Sequence, residues 1–430
     1  MHDPRELTEE GSEAVRRLAR RRFAFDQEAF TAAYRRRAAS QTEVTRLRTE
    51  ANEAARARKK AGGPPTEQEK ETARDLRAAT QRAEAAARSA EQEFEALALG
   101  IPNFPLDGVP DGASEKEAVE VRRGGPPITP TGFEPRHHAD IGEDLGVLDS
   151  KAAARLSGAR FSLSRGPGAR LERALTDFFL DLHTREHGYT EYAVPYLVNR
   201  ETMTGTGQLP KFEEDLFATT VGDRELFLIP TAEVPLTNMV AGQTLDARDL
   251  PYAFTARTPC FRAEAGAYGR DTRGVLRLHQ FEKVELVRVC APEDAQAQLE
   301  LMVGQVEECL RRLELSYRVV LLPAGDLGFS ARMTYDIEVW LPGGDAFREI
   351  SSVSDCGTFQ ARRAGIRHRT ADGRKGPAAT LNGSALPVGR TVAALLEQGL
   401  QADGSVVLPA ALVPYTGFRR LLPGGGTAED

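Results

Sequence analysis

What the 430-residue chain has little of sets the first limits on what it can be. Its four cysteines, Cys260, Cys290, Cys309 and Cys356, are scattered and form no Cys-x-x-Cys pair. That argues against a disulfide framework and a zinc ribbon, and fits a reducing compartment. No apolar run reaches the ~18 residues of a membrane span, and Met1-His2-Asp3-Pro4 is not a charged-then-apolar leader. The expectation is a cytoplasmic protein with no membrane partner. Neither a Gly-x-x-x-x-Gly-Lys-Ser/Thr loop nor a Gly-x-Gly-x-x-Gly after a strand occurs, so an ATP site would have to be built from side chains on a sheet. The length fits two or three domains, and 41% hydrophobic with 28% charged residues is a globular composition.

The net charge of -7 conceals an asymmetry. Residues 20–98 hold 17 Lys and Arg against 13 Asp and Glu, a net of +4, which leaves -11 for the rest of the chain. Within residues 31–61 basic residues outnumber acidic ones nine to three, with Arg35-Arg36-Arg37, Arg46, Arg56, Lys59 and Lys60 among them. Such a segment suits either a solvated helix face or a surface for phosphates.

From about residue 28 to 98 the chain is Ala, Arg, Glu, Gln and Lys, broken only at Gly62-Gly63-Pro64-Pro65. Strong helix formers on both sides of a Gly-Pro turn predict a hairpin of two antiparallel helices. Val44, Leu47, Ala51 and Ala54 in one limb, and Leu76, Ala83, Ala87, Ala90, Phe94 and Leu97 in the other, recur at spacings of a coiled-coil seam. Each limb would be about 50 Å long, more than a globular core needs, so the hairpin is expected to project. A linker rich in Pro and Gly follows, from Leu99 to Pro127.

After residue 130 short β-branched runs alternate with amphipathic helices. A helix is expected over 169–187 and strands over 225–229, 275–290, 316–322 and 335–341. Thr258 to Arg262, a basic loop over 264–274 and the long run from Val275 read as an antiparallel strand pair. Arg262, Glu264, Arg270, Asp271, Arg273 and Arg277 crowd that loop.

These residues carry a family resemblance. Phe261-Arg262-Ala263-Glu264-Ala265-Gly266, Gly269 to Gly274 and His279-Gln280-Phe281-Glu282-Lys283-Val284-Glu285 resemble the second signature motif of class II aminoacyl-tRNA synthetases in its seryl form. Gly205 to Phe212, Thr231-Ala232-Glu233-Val234-Pro235, Glu349-Ile350-Ser351-Ser352, Phe359 to Arg363, Leu381 to Ser384 and Val388 to Thr391 are similar to seryl-tRNA synthetases as well, in the family's order. The resemblance spans nearly the whole chain. It implies an α+β protein: a tRNA-binding helical arm over 1–110 and, over 111–430, a class II catalytic domain on an antiparallel β-sheet flanked by helices.

The implied reaction joins serine to AMP with release of pyrophosphate, then moves the seryl group to the 3′ end of tRNA(Ser), and of tRNA(Sec) as well. By resemblance the catalytic residues are Arg262, Glu349 and Arg390. Serine would be held by Thr231, Ala232, Glu233, Arg262, Glu285, Asn382 and Ser384. ATP would lie on Arg262, Ala263, Glu264, Phe281, Glu349, Ile350, Ser351, Ser352 and Arg390, with Mg2+ on Glu349 and, more weakly, Ser352. Contacts to tRNA would come from Arg35, Arg36, Arg37, Arg46, Arg56, Lys59, Lys60, Arg270 and Arg273. His279 is read as structural. No zinc is expected, the cysteines being placed outside the amino-acid pocket. A homodimer is implied through the first class II motif, Tyr192 to Asn199 with Pro195.

The chain departs from the family pattern at Val353, Asp355, Gly357, Thr358, Ala385 and Pro387. Those changes leave room for a specialised paralogue with the same chemistry, serving inhibitor resistance or a biosynthetic pathway. An aminoacyl ligase for a carrier protein shares the catalytic half but has no need of a long basic arm.

Overall fold

Helix α1 (Gln27–Ala61) starts where the Asp26 carboxylate accepts the Ala29 N–H at 2.9 Å, and it ends at Gly62. Helix α2 (Glu67–Leu99) starts at a reciprocal capping box between Thr66 and Glu69. The Gly-Pro break is thus closed by caps on both sides. Described here is the computed structural model over residues 1–9, 12–130, 132–265, 273–370 and 372–429.

The chain divides into two units, Met1–Pro102 and Asn103–Asp430. The division falls before the expected 110 because Asn103 donates to the carbonyls of Ser330 and Cys356, and Val109 is buried in the second unit's core. In the first unit α1 and α2 pair as a hairpin. Phe30 lies 5.3 Å from Phe94 and Tyr34 5.7 Å from it. Leu97, expected in the seam, is 39% exposed, and Ala98 is buried in its stead.

The second unit is built on an eight-stranded sheet. In chain order its strands are β1 (Val119–Gly124), β2 (Thr190–Glu191), β3 (Tyr252–Phe261), β4 (Gln280–Cys290), β5 (Tyr317–Leu321), β6 (Met333–Leu341), β7 (Ala346–Gly357) and β8 (Ala379–Pro387). Across the sheet they run β1-β5-β6-β7-β8-β4-β3-β2, antiparallel except for the edge pair β2–β3. One face is covered by α3 (Pro167–Arg185), α6 (Ala295–Arg312) and α8 (Val388–Gln398), whose apolar residues share a core with Val284, Leu286, Ile337 and Leu381. The short helices α4 (Arg200–Thr206), α5 (Glu233–Asn238) and α7 (Phe359–Ala364) lie on the other side.

The long strand begins at Gln280, not Val275. Gly274 has φ +82, and a Cβ there would collide with His138 Nε2. That same nitrogen is 3.3 Å from the Val275 N–H, so the segment is bound by a histidine and not by a neighbouring strand. Among the described residues no helix is long and apolar enough to cross a membrane.

Candidate active site

Strand alternation places the chemistry. On β4, Val284 and Leu286 enter the helix-covered core, so Phe281, Lys283 and Glu285 face the other way. Register brings Ser384 of β8 and Ala256 of β3 opposite Glu285. A β-bulge in the β6–β7 pair then corrects a parity problem. Because Ser352 pairs with Asp336 and Glu349 with Glu338, Glu349 and Ser352 share a face although they lie three positions apart, an odd offset.

Two adjoining cavities open on this face. The first, of about 460 Å³, is lined by Thr231, Glu233, Arg262, Phe329, Cys356 and Asn382 among others. The second, of about 60 Å³, is lined by Phe281, Lys283, Glu349, Ile350, Ser384 and Arg390 among others. Arg262, Glu264 and Arg277 line both.

In the first cavity the Thr231 hydroxyl donates to Glu285 at 3.0 Å and accepts from the Lys283 ammonium at 3.0 Å. Lys283 also forms an ion pair with Glu285. Glu233 Oε1 accepts from Asn382 at 3.0 Å and from Gln360 at 2.6 Å. Burial, and after it the Glu285 charge, pushes the Glu233 carboxyl up to about 7. Gln360 is wholly buried and uses every bond it has here: it also donates to the Thr206 carbonyl and accepts from Thr380. It thereby locks Glu233 in place.

Arg262 spans the boundary, its Nε 3.3 Å from the Pro230 carbonyl and its guanidinium 5.2 Å from the centre of the Phe281 ring. The His279 ring bonds the Arg262 carbonyl at 3.0 Å and packs against Phe161 and Phe217, a structural role. Glu264, in the left-handed region at φ +53, is held by Arg277. Arg390 donates to the Glu349 carbonyl at 2.7 Å and lies 3.3 Å from its carboxylate.

Beside Ser352 and Glu349 stands Asp336, whose Oδ1 is buried with no hydrogen-bond partner among the described residues. Burial and the nearby Glu349 charge raise its carboxyl well above the ordinary range. An all-oxygen donor set with an unsatisfied carboxylate oxygen is one that a hard divalent cation suits.

Other expected residues lie apart. Ala232 and Ser351 are buried behind the cavity walls, Ser351 donating to the Ser384 carbonyl at 2.6 Å. The Ala263 N–H donates to the Asp215 carbonyl at 2.9 Å. Ser384 lines the second cavity, whereas Asn382 lines the first. Cys356 lines the first cavity; Asn382 donates to its sulfur at 3.5 Å and burial raises the thiol well up. Of the departures from the family pattern, Val353 and Ala385 sit in the helix-covered core and Asp355 pairs with Arg332 at 2.9 Å. Pro387 lines the second cavity.

On the arm, Arg36 pairs with Glu93, Arg37 with Glu91, and Arg46 with Glu43 and Glu50. Exposed pairs of this kind contribute roughly 0–1 kcal/mol and open readily. Arg35, Arg56, Lys59 and Lys60 are exposed and form no ion pair among the described residues. Arg273 pairs with Asp140, and Arg270 lies outside the described residues. Sequence reasoning assigned no role to Lys283, Gln360 or Asp336. The alternation of Phe281, Lys283 and Glu285 carried a signal for the first of them.

The profile of the tRNA synthetase class II core domain (G, H, P, S and T) matches residues 216–399, and that of the seryl-tRNA synthetase N-terminal domain matches residues 1–105. A Streptomyces avermitilis protein called serine–tRNA ligase 2 is 77% identical over the whole of both chains. A serine–tRNA ligase of Acidithiobacillus ferrooxidans is 51% identical over 97% of this chain and 98% of its own. Among solved structures, seryl-tRNA synthetase from Pyrococcus horikoshii complexed with ATP superposes with a TM-score of 0.86 at 33% identity, covering 98% of this chain and 100% of that one.

Proposed function

The chain belongs to the seryl-tRNA synthetase family of class II aminoacyl-tRNA synthetases, and on that premise we propose how its two cavities activate serine with ATP and pass it to tRNA(Ser). Serine enters the first cavity. Its ammonium meets Thr231, Glu233 and Glu285, its hydroxyl lies toward Asn382, and its carboxylate reaches Arg262. ATP enters the second, its adenine on Phe281 with its amino group toward Glu264, its outer phosphates on Arg390. Glu349 and Ser352, with Asp336 beside them, would hold Mg2+, which neutralises phosphate charge when bound.

A serine carboxylate oxygen attacks the α-phosphorus and pyrophosphate leaves with the broken P–O bond. The terminal ribose hydroxyl of tRNA then attacks the seryl carbonyl, the bond from that carbonyl to the phosphate oxygen breaks, and AMP leaves while the hydroxyl proton passes to its phosphate or to water. Neither step needs a nucleophile from the protein, so the work is positioning and charge stabilisation. The observation that carries this reading is that two guanidiniums line both cavities and, of the two, Arg277 is paired with Glu264 whereas Arg262 holds no carboxylate among the described residues; a fork of donors on Arg262 can bind carboxylate and α-phosphate together.

The arm would bind tRNA through Arg35, Arg56, Lys59 and Lys60, joined by Arg36, Arg37 and Arg46 once their exposed pairs open; Arg270 and Arg273 would meet the acceptor end. tRNA(Sec) is proposed as a second substrate. The exposed Tyr196 and Leu197 of the first motif support a homodimer, and a cytoplasmic location is proposed. Zinc has no part in this reading, because Cys356 is a lone thiol held protonated by burial. Serine-dependent exchange of pyrophosphate into ATP, followed by charging of purified tRNA(Ser), tests the proposal.

A further inference from the structure

Lys283 is nearly as buried as the acid it serves, at 6% exposed against 2% for Glu285. Its ammonium bonds the Thr231 hydroxyl and pairs with Glu285. Those are two of the three groups that the reading above gives to the substrate's ammonium. Two primary ammonium ions cannot share one hydroxyl lone pair and one carboxylate oxygen at full strength. Lys283 lines the second cavity and not the first, while Thr231 lines the first and not the second. Its four-carbon stem therefore rises from the nucleotide side and its head reaches toward the amino-acid side.

Resting on the function proposed above, we propose that Lys283 is a displaceable cation that couples serine binding to nucleotide binding. Serine's ammonium takes Thr231 and Glu285 from Lys283, and the released ammonium turns into the second cavity, toward the α-phosphate beside Arg262. No covalent bond changes and no proton moves. Desolvation makes the coupling strong: a buried charge deprived of its partner is costly, so Lys283 gives way readily only when an anion stands ready in the second cavity. Arg262 cannot take this role, because it already lines both cavities and bonds neither Thr231 nor Glu285.

The test is calorimetric titration of serine into the full-length protein, with and without a non-hydrolysable ATP analogue and Mg2+, for the parent, Lys283→Met and Lys283→Gln. Methionine keeps most of the stem, and glutamine keeps a hydrogen-bond donor without charge; thermal melts confirm that each variant titrated is folded. In the parent the analogue should tighten serine binding about 5- to 150-fold, the usual range of coupling between two sites. In both variants that factor should fall to near one, and serine alone should bind as tightly as in the parent or more so, its rival being gone. A merely structural lysine would weaken serine binding on removal and leave the coupling in place, and that result overturns the proposal. A parent that binds serine with no effect of the analogue overturns it too while sparing the assigned function. A parent that binds no serine under either condition overturns both.

Discussion

The Glu233 carboxyl gives the account a quantitative pH test. Burial and the charge of Glu285 raise it to about 7, and its ionised form is the one proposed to pair with serine's ammonium. Below that pH a serine molecule must first drive off a proton. With a pKa near 7 the ionised fraction falls from about nine-tenths at pH 8 to about one-tenth at pH 6, so serine binding should weaken roughly tenfold across that range. Serine's own ammonium and carboxylate keep their charges throughout, so the change belongs to the protein. At pH 7 about half a proton should be released per serine bound, a quantity read from calorimetry in buffers of different ionisation enthalpy. Glu233→Gln should bind serine more weakly and remove most of the pH dependence and proton release. An affinity that is flat from pH 6 to 8, with no proton released, would refute the reasoning about Glu233.

Other expectations follow from the same geometry. A site that hydrogen-bonds the serine hydroxyl beside Asn382 should discriminate against alanine by roughly 10⁴ to 10⁵ in pyrophosphate exchange; a preference below about 10² would mean that the hydroxyl is not bound there. Replacing Arg56, Lys59 and Lys60 together by alanine should leave that exchange unchanged and weaken tRNA binding, flattening its salt dependence by roughly 0.7 to 0.9 in log–log slope for each phosphate no longer neutralised. An unaltered slope would place the tRNA elsewhere. Sedimentation should show a dimer, and a fully active monomer would contradict the interface proposed at Tyr196 and Leu197.

How much of this was legible in the sequence depends on how locally each feature is encoded. The hairpin was legible because Gly62-Gly63-Pro64-Pro65 interrupts an otherwise unbroken helical composition, and α1 and α2 end within a few residues of that break. The antiparallel β3–β4 pair was legible from its apolar alternation. The start of β4 was not, because what holds Val275 is a histidine 137 positions earlier in the chain. Glu349 and Ser352 could be named from the family pattern, yet their parity would put them on opposite faces of an ideal strand. Only the bulge between β6 and β7 brings them together, and with it Asp336. Gln360 escaped notice since its partners, Thr206, Glu233 and Thr380, come from three separate segments. The place of Cys356 in the first cavity was not legible for the same reason: nothing near it in sequence shows that it faces Asn382 across β7 and β8.

The central claim is that Arg262 bridges the serine carboxylate and the α-phosphate, and single-turnover formation of seryl-adenylate by Arg262→Lys tests it most directly. Lysine retains a positive charge between the cavities but not the fork of donors. The interaction should tighten as the α-phosphorus becomes five-coordinate, so the loss should fall on the rate and much less on serine or ATP binding. The rate should be lower by about 10² to 10³, the range for removing one preorganised donor from a developing charge. A folded lysine variant that forms adenylate within a few-fold of the parent would contradict it, and would make Arg262 a structural residue of the cavity wall.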